Sequence, residues 1–469
     1  MIGLLLHSYK VLSVLILRRI QPALEARLPD SQAGFRKARG CRDNVFILKQ
    51  LISELVRANE EAMLGFIDYT AAFDSLSHRF LDESLAEAMV PPKIRRLIAA
   101  IYANATGSVR IQQSGEQMCS ESFPIRRGAI QGDIFSPQSF TIALDRIFRR
   151  HDIECEGVGG PPLRCPKISK LEYADDGMTA TKTASEASVR LSTLEQGDSA
   201  EAGLDISLKK TKGMPIRRYP AVSDTTEEDV VALNLPHKCP ACGKGFTKLN
   251  GLNKHRARWC DPNKTRSRKG TLADKAVKRA KQAKQATELP HIFIHDHELE
   301  NVVTFDYLGC LSCGDGNDTE DLQHRMCVAQ ARFSELFNIW RDARLPQSMK
   351  LTLYRSSVCS TFNHGCEAWT LTPSNLRSLN GFNSRCLHHI TGRSYRMEAV
   401  SPTFDLVAAV RSRRLRWLGH ILRMPVDRLL HQTVCELAAG GPPYPAGSIL
   451  MDCHITFEEL LVQAGNREF

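Results

Sequence analysis

Two stretches decide the fold: Lys170-Leu171-Glu172-Tyr173-Ala174-Asp175-Asp176-Gly177-Met178-Thr179-Ala180-Thr181 and Phe66-Ile67-Asp68-Tyr69-Thr70-Ala71-Ala72-Phe73-Asp74. The first reads as two short strands about a tight Ala-Asp-Asp-Gly turn. The second begins with the buried strand Leu64–Asp68, which ends in a carboxylate. Adjacent strands lie about 5 Å apart. Carboxylates at neighbouring strand ends can therefore hold two divalent ions about 4 Å apart, the arrangement that nucleotidyl transfer needs. Hard oxygen ligands suit Mg²⁺. An Asp-Asp-Gly sequence alone is equally a hairpin turn, because these residues suit the turn itself.

Working outward, residues 1–60 read as mostly helical, with Leu12, Leu15, Leu17 and Ile20 recurring along one segment. Val45, Leu48, Leu51, Ile52 and Leu55 recur at helical spacing along another. Between them lies a basic loop, Gln32-Ala33-Gly34-Phe35-Arg36-Lys37. Helix is expected over 76–105, strands over Gly107–Ile111 and Phe123–Ile125, a glycine-bearing loop over Gly128–Pro137 and a helix over Gln138–Arg150. This mixture is α+β. Residues 216–236 are polar and acidic and read as a linker, and residues 300–430 return to globular composition with helical patterns at 319–341 and 346–360. The last forty residues are weakly patterned, and no internal repeat is visible.

The net charge of +10 is unevenly spread. Between His237 and Leu289 fall 15 of the 62 Lys/Arg and 3 of the 52 Asp/Glu, a local net of +12 that leaves the remainder at −2. Such a segment suits a grip on phosphates. It opens with Cys239-Pro240-Ala241-Cys242, followed by His255 and Cys260, a Cys-x2-Cys-x12-His-x4-Cys spacing. Phe246 and Leu252 stand where a ββα finger places its two apolar core residues. Zinc takes four tetrahedral ligands, two from a knuckle and two from a helix, so Zn²⁺ is the expected ion. A basic helix, Thr271–Ala286, follows. The 15 cysteines show no small-scaffold pattern, which argues for a reducing compartment. The apolar start is broken by His7, Ser8 and Lys10 and reads as an amphipathic helix, and no stretch has the length of a membrane span.

In combination and order, these motifs resemble the reverse transcriptase family. Gln32–Arg36 resembles its fingers motif, Phe66–Asp74 its first catalytic motif and Arg127–Pro137 its glycine-bearing motif. Tyr173–Asp176 resembles its Tyr-Ala-Asp-Asp turn, Gly203–Lys212 its lysine-bearing motif and Phe305–Gly309 its primer-side hairpin. Gly365–Trp369 and Arg414–Pro425 look like the thumb and post-thumb region of non-LTR retrotransposon polyproteins. The resemblance implies a right-hand fingers–palm–thumb polymerase copying RNA into DNA at a primer, with an inserted zinc finger and a helical C-terminal region.

Its divisions would be fingers and palm at 1–215, linker at 216–236, zinc finger at 237–262 and basic helix at 263–290. The primer-side motif and start of the thumb would follow at 291–345, with helical thumb at 346–469. Asp68, Asp175 and Asp176 would bind two Mg²⁺ ions, and Phe73 would exclude a 2′-hydroxyl. Gln131 and Gly132 would line the nascent base pair, Lys210 would face the triphosphate, and Arg36 would contact phosphate or template. Asp74 is expected to be structural. Trp369 and Trp417 fit core packing, whereas Arg414, Arg416 and Arg423 would either contact RNA or solvate a helix face.

The implied partners are an RNA template, a DNA primer or target and deoxynucleoside triphosphates, inside the cell and at the nuclear site of integration. Family members carry a basic strand before the Tyr9-Lys10 region and an upstream endonuclease. The chain is therefore expected to be a fragment of a larger retroelement polyprotein. The competing expectation is a catalytically decayed remnant that still binds nucleic acid.

Overall fold

The computed structural model describes residues 5–113, 116–130, 132–154, 168–217, 290–392 and 404–438, with short stretches at 237–238, 245–246 and 449–450 and positions 456 and 459. The chain divides into two compact units, Met1–Arg217 with His291–Phe469, and Arg218–Pro290.

The centre of the larger unit is a four-stranded antiparallel sheet of β1 (Ala62–Ile67), β2 (Lys170–Tyr173), β3 (Asp176–Thr181) and β4 (Lys212–Ile216), in the order β2-β3-β1-β4. All six residues of β1 are buried, as expected of a strand covered on both faces. Met63 and Ile67 join the core on one face, with Phe140, Ile147, Leu191 and the α1 (His7–Arg27) residues Ile16, Ile20 and Leu24. Ala62, Leu64 and Phe66 join the other, against Val45, Leu48, Leu51 and Leu55 of α2 (Cys41–Ala58). The period-2 alternation of one short strand thus knits two cores together. Ile216 closes β4, so the sheet extends one residue into the expected linker.

The expected helices at 76–105 form as His78–Glu87 and Pro92–Ala103, and the helix after the glycine-bearing loop spans Ser136–Glu154. The expected strands near 107–111 and 123–125 are instead two small ribbons. Thr106–Gly107 pairs with Phe123–Pro124, and Arg110–Gln113 pairs with Glu116–Cys119.

Beyond the sheet, β5 (Thr304–Tyr307) and β6 (Cys310–Cys313) form a hairpin turned by Leu308 and Gly309, both at positive φ. Phe305 stacks on Phe66 with ring centroids 4.0 Å apart, so the hairpin lies against the sheet. A helical region follows, with a core of Phe333, Trp340, Tyr354, Phe362, Trp369, Phe382 and Val410. Trp369 and Trp417 are both buried, as the packing reading expected. Arg414 is completely buried and donates to the Trp369 carbonyl, so neither RNA contact nor solvation describes it.

No helix among the described residues is long and apolar enough to cross a membrane. In the smaller unit, His237–Lys238 pairs antiparallel with Gly245–Phe246. The expected zinc ligands Cys239, Cys242, His255 and Cys260, the linker 218–236, the basic helix and Gln131 lie outside the described residues.

Candidate active site

The register of the sheet sets the carboxylates. β1 pairs with β3 so that Ile67 faces Gly177, and continuing that register by one residue brings Asp68 opposite Asp176. Asp175 stands in the turn between β2 and β3, and Asp176 opens β3 rather than lying in the turn. Partial burial and the neighbouring Asp68 push the Asp175 carboxyl above its ordinary range, with Lys210 opposing. Partial burial, then Asp175 and Asp68, raise Asp176 to about 6. Asp175 and Asp176 are therefore both held in surroundings that penalise their negative charge.

Among the described residues, no three His, Cys, Asp or Glu side chains stand close enough together to hold a metal ion. Lys210 Nζ instead rests 3.1 Å from Asp68 Oδ1. Both partners are substantially exposed, so this ion pair is weak and exchangeable. The donor type, carboxylate oxygen, is the one that hard divalent cations take.

Lys210 reaches Asp68 because its segment runs beside the end of β1. Thr70 N donates to Asp205 O at 2.8 Å, Ser207 N to Asp68 O at 2.8 Å, and Asp68 N to Thr211 Oγ1 at 3.3 Å.

Phe73 lies on the helical turn Ala72–Ser75. Its half-buried ring stacks on the buried Phe140, centroids 4.1 Å apart, and meets Phe35 edge-on at 6.2 Å. The glycine-bearing loop is docked onto this turn: Ala129 N donates to Phe73 O at 2.6 Å and Gly128 N to Leu76 O at 2.8 Å. Gly128 has φ +86° and approaches the Asp74 backbone so closely that a Cβ would lie 2.7 Å from Asp74 O. Asp74 is thus a backbone platform, in line with its expected structural role. Gly132 is exposed with φ +84°.

Arg36 corrects an expectation. Its guanidinium is buried, 3.0 Å from Glu25 Oε2, and it donates to the Pro29 and Gln32 carbonyls at 2.5 and 3.0 Å. It braces its own loop rather than facing a template. Its charge was legible in the sequence, but the acceptors that claim it were not.

Sequence reasoning also missed what lies beneath the Ala174-Asp175 turn. The completely buried Gln32 accepts through Oε1 from Ala174 N at 3.1 Å and Gly34 N at 2.8 Å. Its segment pairs with β2 through Ala33 N to Glu172 O and Glu172 N to Ser31 O, each 2.9 Å. Ala174 is held at φ +53°. A Cβ on Gly34 would lie 2.3 Å from Ala174 N. We expect Gly34→Ala to push the turn away at a cost of about 1–3 kcal/mol. A variant with the wild-type thermal midpoint would refute that contact.

Asp133 was missed too. It accepts from Tyr9 Oη at 3.2 Å, from Ser13 Oγ and from Ser136 Oγ at 3.2 Å, tying the glycine-bearing loop to α1.

A family model described as reverse transcriptase (RNA-dependent DNA polymerase) matches residues 1–292. The retrovirus-related Pol polyprotein from type-1 retrotransposable element R2 of Nasonia vitripennis is 27% identical over 183 residues, 39% of this chain and 17% of that protein. The corresponding polyprotein from type-2 retrotransposable element R2DM of Drosophila melanogaster is 30% identical over 151 residues, 30% of this chain and 14% of that protein. The chain thus spans less than a fifth of the length of these curated relatives. Among solved structures, apo telomerase from Candida tropicalis aligns with 97% of this chain and 58% of its own, at a TM-score of 0.38 and 11% identity. The chain belongs to the reverse transcriptase (RNA-dependent DNA polymerase) family, and the Pol polyproteins of non-LTR retrotransposons are among its relatives.

Proposed function

We propose that this chain polymerises deoxynucleotides on an RNA template from a primer 3′-hydroxyl, as part of a Pol-type polyprotein of a non-LTR retroelement. The observation that carries this reading is the register placing Asp68 opposite Asp176, with Asp175 in the adjoining turn. Held by these three carboxylates, two Mg²⁺ ions would supply an activated 3′-hydroxyl and charge neutralisation at the triphosphate.

The chain's own residues do the rest. Lys210, exchanged from Asp68, turns to the triphosphate and can give a proton to the departing pyrophosphate. Phe73, backed by Phe140, lies under the sugar and excludes a 2′-hydroxyl. Gly132 lets the backbone approach the nascent base pair, beside Gln131. Arg36 has no part in this proposal beyond bracing the loop. An RNA template, a DNA primer or target and deoxynucleoside triphosphates are the partners, and the nuclear site of integration is the place of action. Primer extension on an RNA template with Mg²⁺ tests the reading. Full RNA binding without extension by the wild-type chain would favour a catalytically decayed remnant instead.

The reading includes a zinc finger in the smaller unit. The antiparallel pairing of His237–Lys238 with Gly245–Phe246 brackets Cys239 and Cys242, as the two strands of a zinc knuckle do, and supports Cys239, Cys242, His255 and Cys260 as ligands. Double substitution of Cys239 and Cys242 by Ser should lower the metal content by one Zn²⁺ per chain. Unchanged zinc by elemental analysis would reject the site.

A further inference from the structure

Phe35 is a bulky residue at φ +55°, outside the region such side chains favour, and 42% of its surface is exposed. Strain of this kind persists where the surroundings over-determine it, and it clusters at functional positions. The surroundings here do so from three sides. Gly34, on one flank, is pressed against the backbone of Ala174 in the catalytic turn. Arg36, on the other, is anchored to Glu25, Pro29 and Gln32. The Phe35 carbonyl accepts from Gln138 Nε2 at 3.2 Å, from the same helix that carries Phe140. What this clamp presents is a ring at 90° to that of Phe73, which is itself stacked on Phe140. Edge-to-face contact is a favoured aromatic geometry, and it adds to simple burial.

We propose that Phe35 is a positioning residue for sugar discrimination: with Phe140 it locks the Phe73 ring in the attitude that leaves no room for a ribose 2′-hydroxyl. This inference rests on the reading of Phe73 as the sugar gate. A lone half-buried phenylalanine has rotamer freedom. Stacked on Phe140 and in T-shaped contact with Phe35, Phe73 loses that freedom, and the gate becomes rigid. The same loop that supports the metal-binding turn through Gln32 therefore supports the sugar gate through Phe35.

The test is the ratio of kcat/KM for a deoxynucleoside triphosphate to that for its ribonucleotide, measured by single-nucleotide extension for the wild type, Phe35→Ala, Phe35→Tyr and Phe73→Ala. Phe35→Ala should lower the ratio up to about tenfold, the scale of one aromatic pair. Phe35→Tyr, which keeps the ring, should restore it. Phe73→Ala should lower the ratio at least as far. A wild-type ratio in Phe35→Ala beside a lowered one in Phe73→Ala overturns the role of Phe35 alone. An equal loss in Phe35→Ala and Phe35→Tyr also overturns it, because the ring contact would then not be the cause. A wild-type ratio in Phe73→Ala overturns the gate and this inference together, and so does a wild-type chain that extends no primer.

Discussion

Asp175→Asn is expected to reduce primer extension by at least about a thousandfold while RNA binding stays within about twofold. The substitution keeps the shape of the side chain and removes one of three negative charges at the strand ends. Nothing else in the turn changes, since Ala174 is held by Gln32 and β2 and β3 pair through their backbones. Asp175 also raises Asp176, so the variant should move the carboxyl now at about 6 downward. Retention of more than about a tenth of wild-type extension would remove Asp175 from the centre.

The second large effect concerns stability. Lys49 is buried in the middle of α2, with Nζ 2.6 Å from Asp318 Oδ1 and 2.8 Å from Asp321 Oδ2. Asp321 also accepts from Trp369 Nε1 at 2.8 Å and Leu311 N at 3.2 Å, and Asp318 from Thr370 N at 2.6 Å. One cation thus joins the helix beneath the sheet to the helical C-terminal region. Lys49→Met removes the cation and leaves two carboxylates in the interior, at a cost of about 3–5 kcal/mol.

The pH dependence has a definite sign. Burial already raises the Asp318 carboxyl, opposed by Lys49, and the variant loses that opposition. A folded-state pKa above the unfolded value means that the folded state binds the proton more tightly. Stability is then regained as pH falls through the raised folded value, until the unfolded value near 4 is passed. The deficit of Lys49→Met in urea unfolding should accordingly shrink between pH 7 and about 4. A deficit that is pH-independent, or smaller than about 1 kcal/mol, would contradict a stranded-carboxylate account.

These cases separate what a sequence carries from what it does not. The strand Leu64–Ile67 followed by Asp68, and the short run into Ala174-Asp175-Asp176, were readable because apolar continuity and turn residues are local signals. The hairpin at Leu308-Gly309 was expected only from the resemblance of Phe305–Gly309 to a family motif, whereas the mixed helix and sheet content followed from the local signals. Arg36 and Arg414 were misread because a charge in a basic motif looks solvent-facing until its acceptors are known. Those acceptors are the nearby Glu25 carboxylate and backbone carbonyls that composition does not distinguish. Lys49 stands among Val45, Leu48, Leu51 and Ile52, an anomaly visible in sequence, yet its partners lie more than 260 residues away. Gln32 and Gly34 stand in one basic loop of the sequence, but their contact with Ala174 depends on a strand pairing that no local period encodes.

The pairing at β4 has a further consequence. Gly213 N donates to Glu300 O at 3.1 Å, and Val302 N to Gly213 O at 2.7 Å, so the strand that leads out towards Arg218 is bonded to the segment that returns after Pro290. Exit and re-entry are stitched together within the larger unit itself. Lengthening the excursion between them costs that unit only loop-closure entropy, about 0.6 kcal/mol for each doubling in length. The larger unit is in this sense a chassis with a permissive insertion point, at which evolution can exchange one inserted segment for another without renegotiating the sheet.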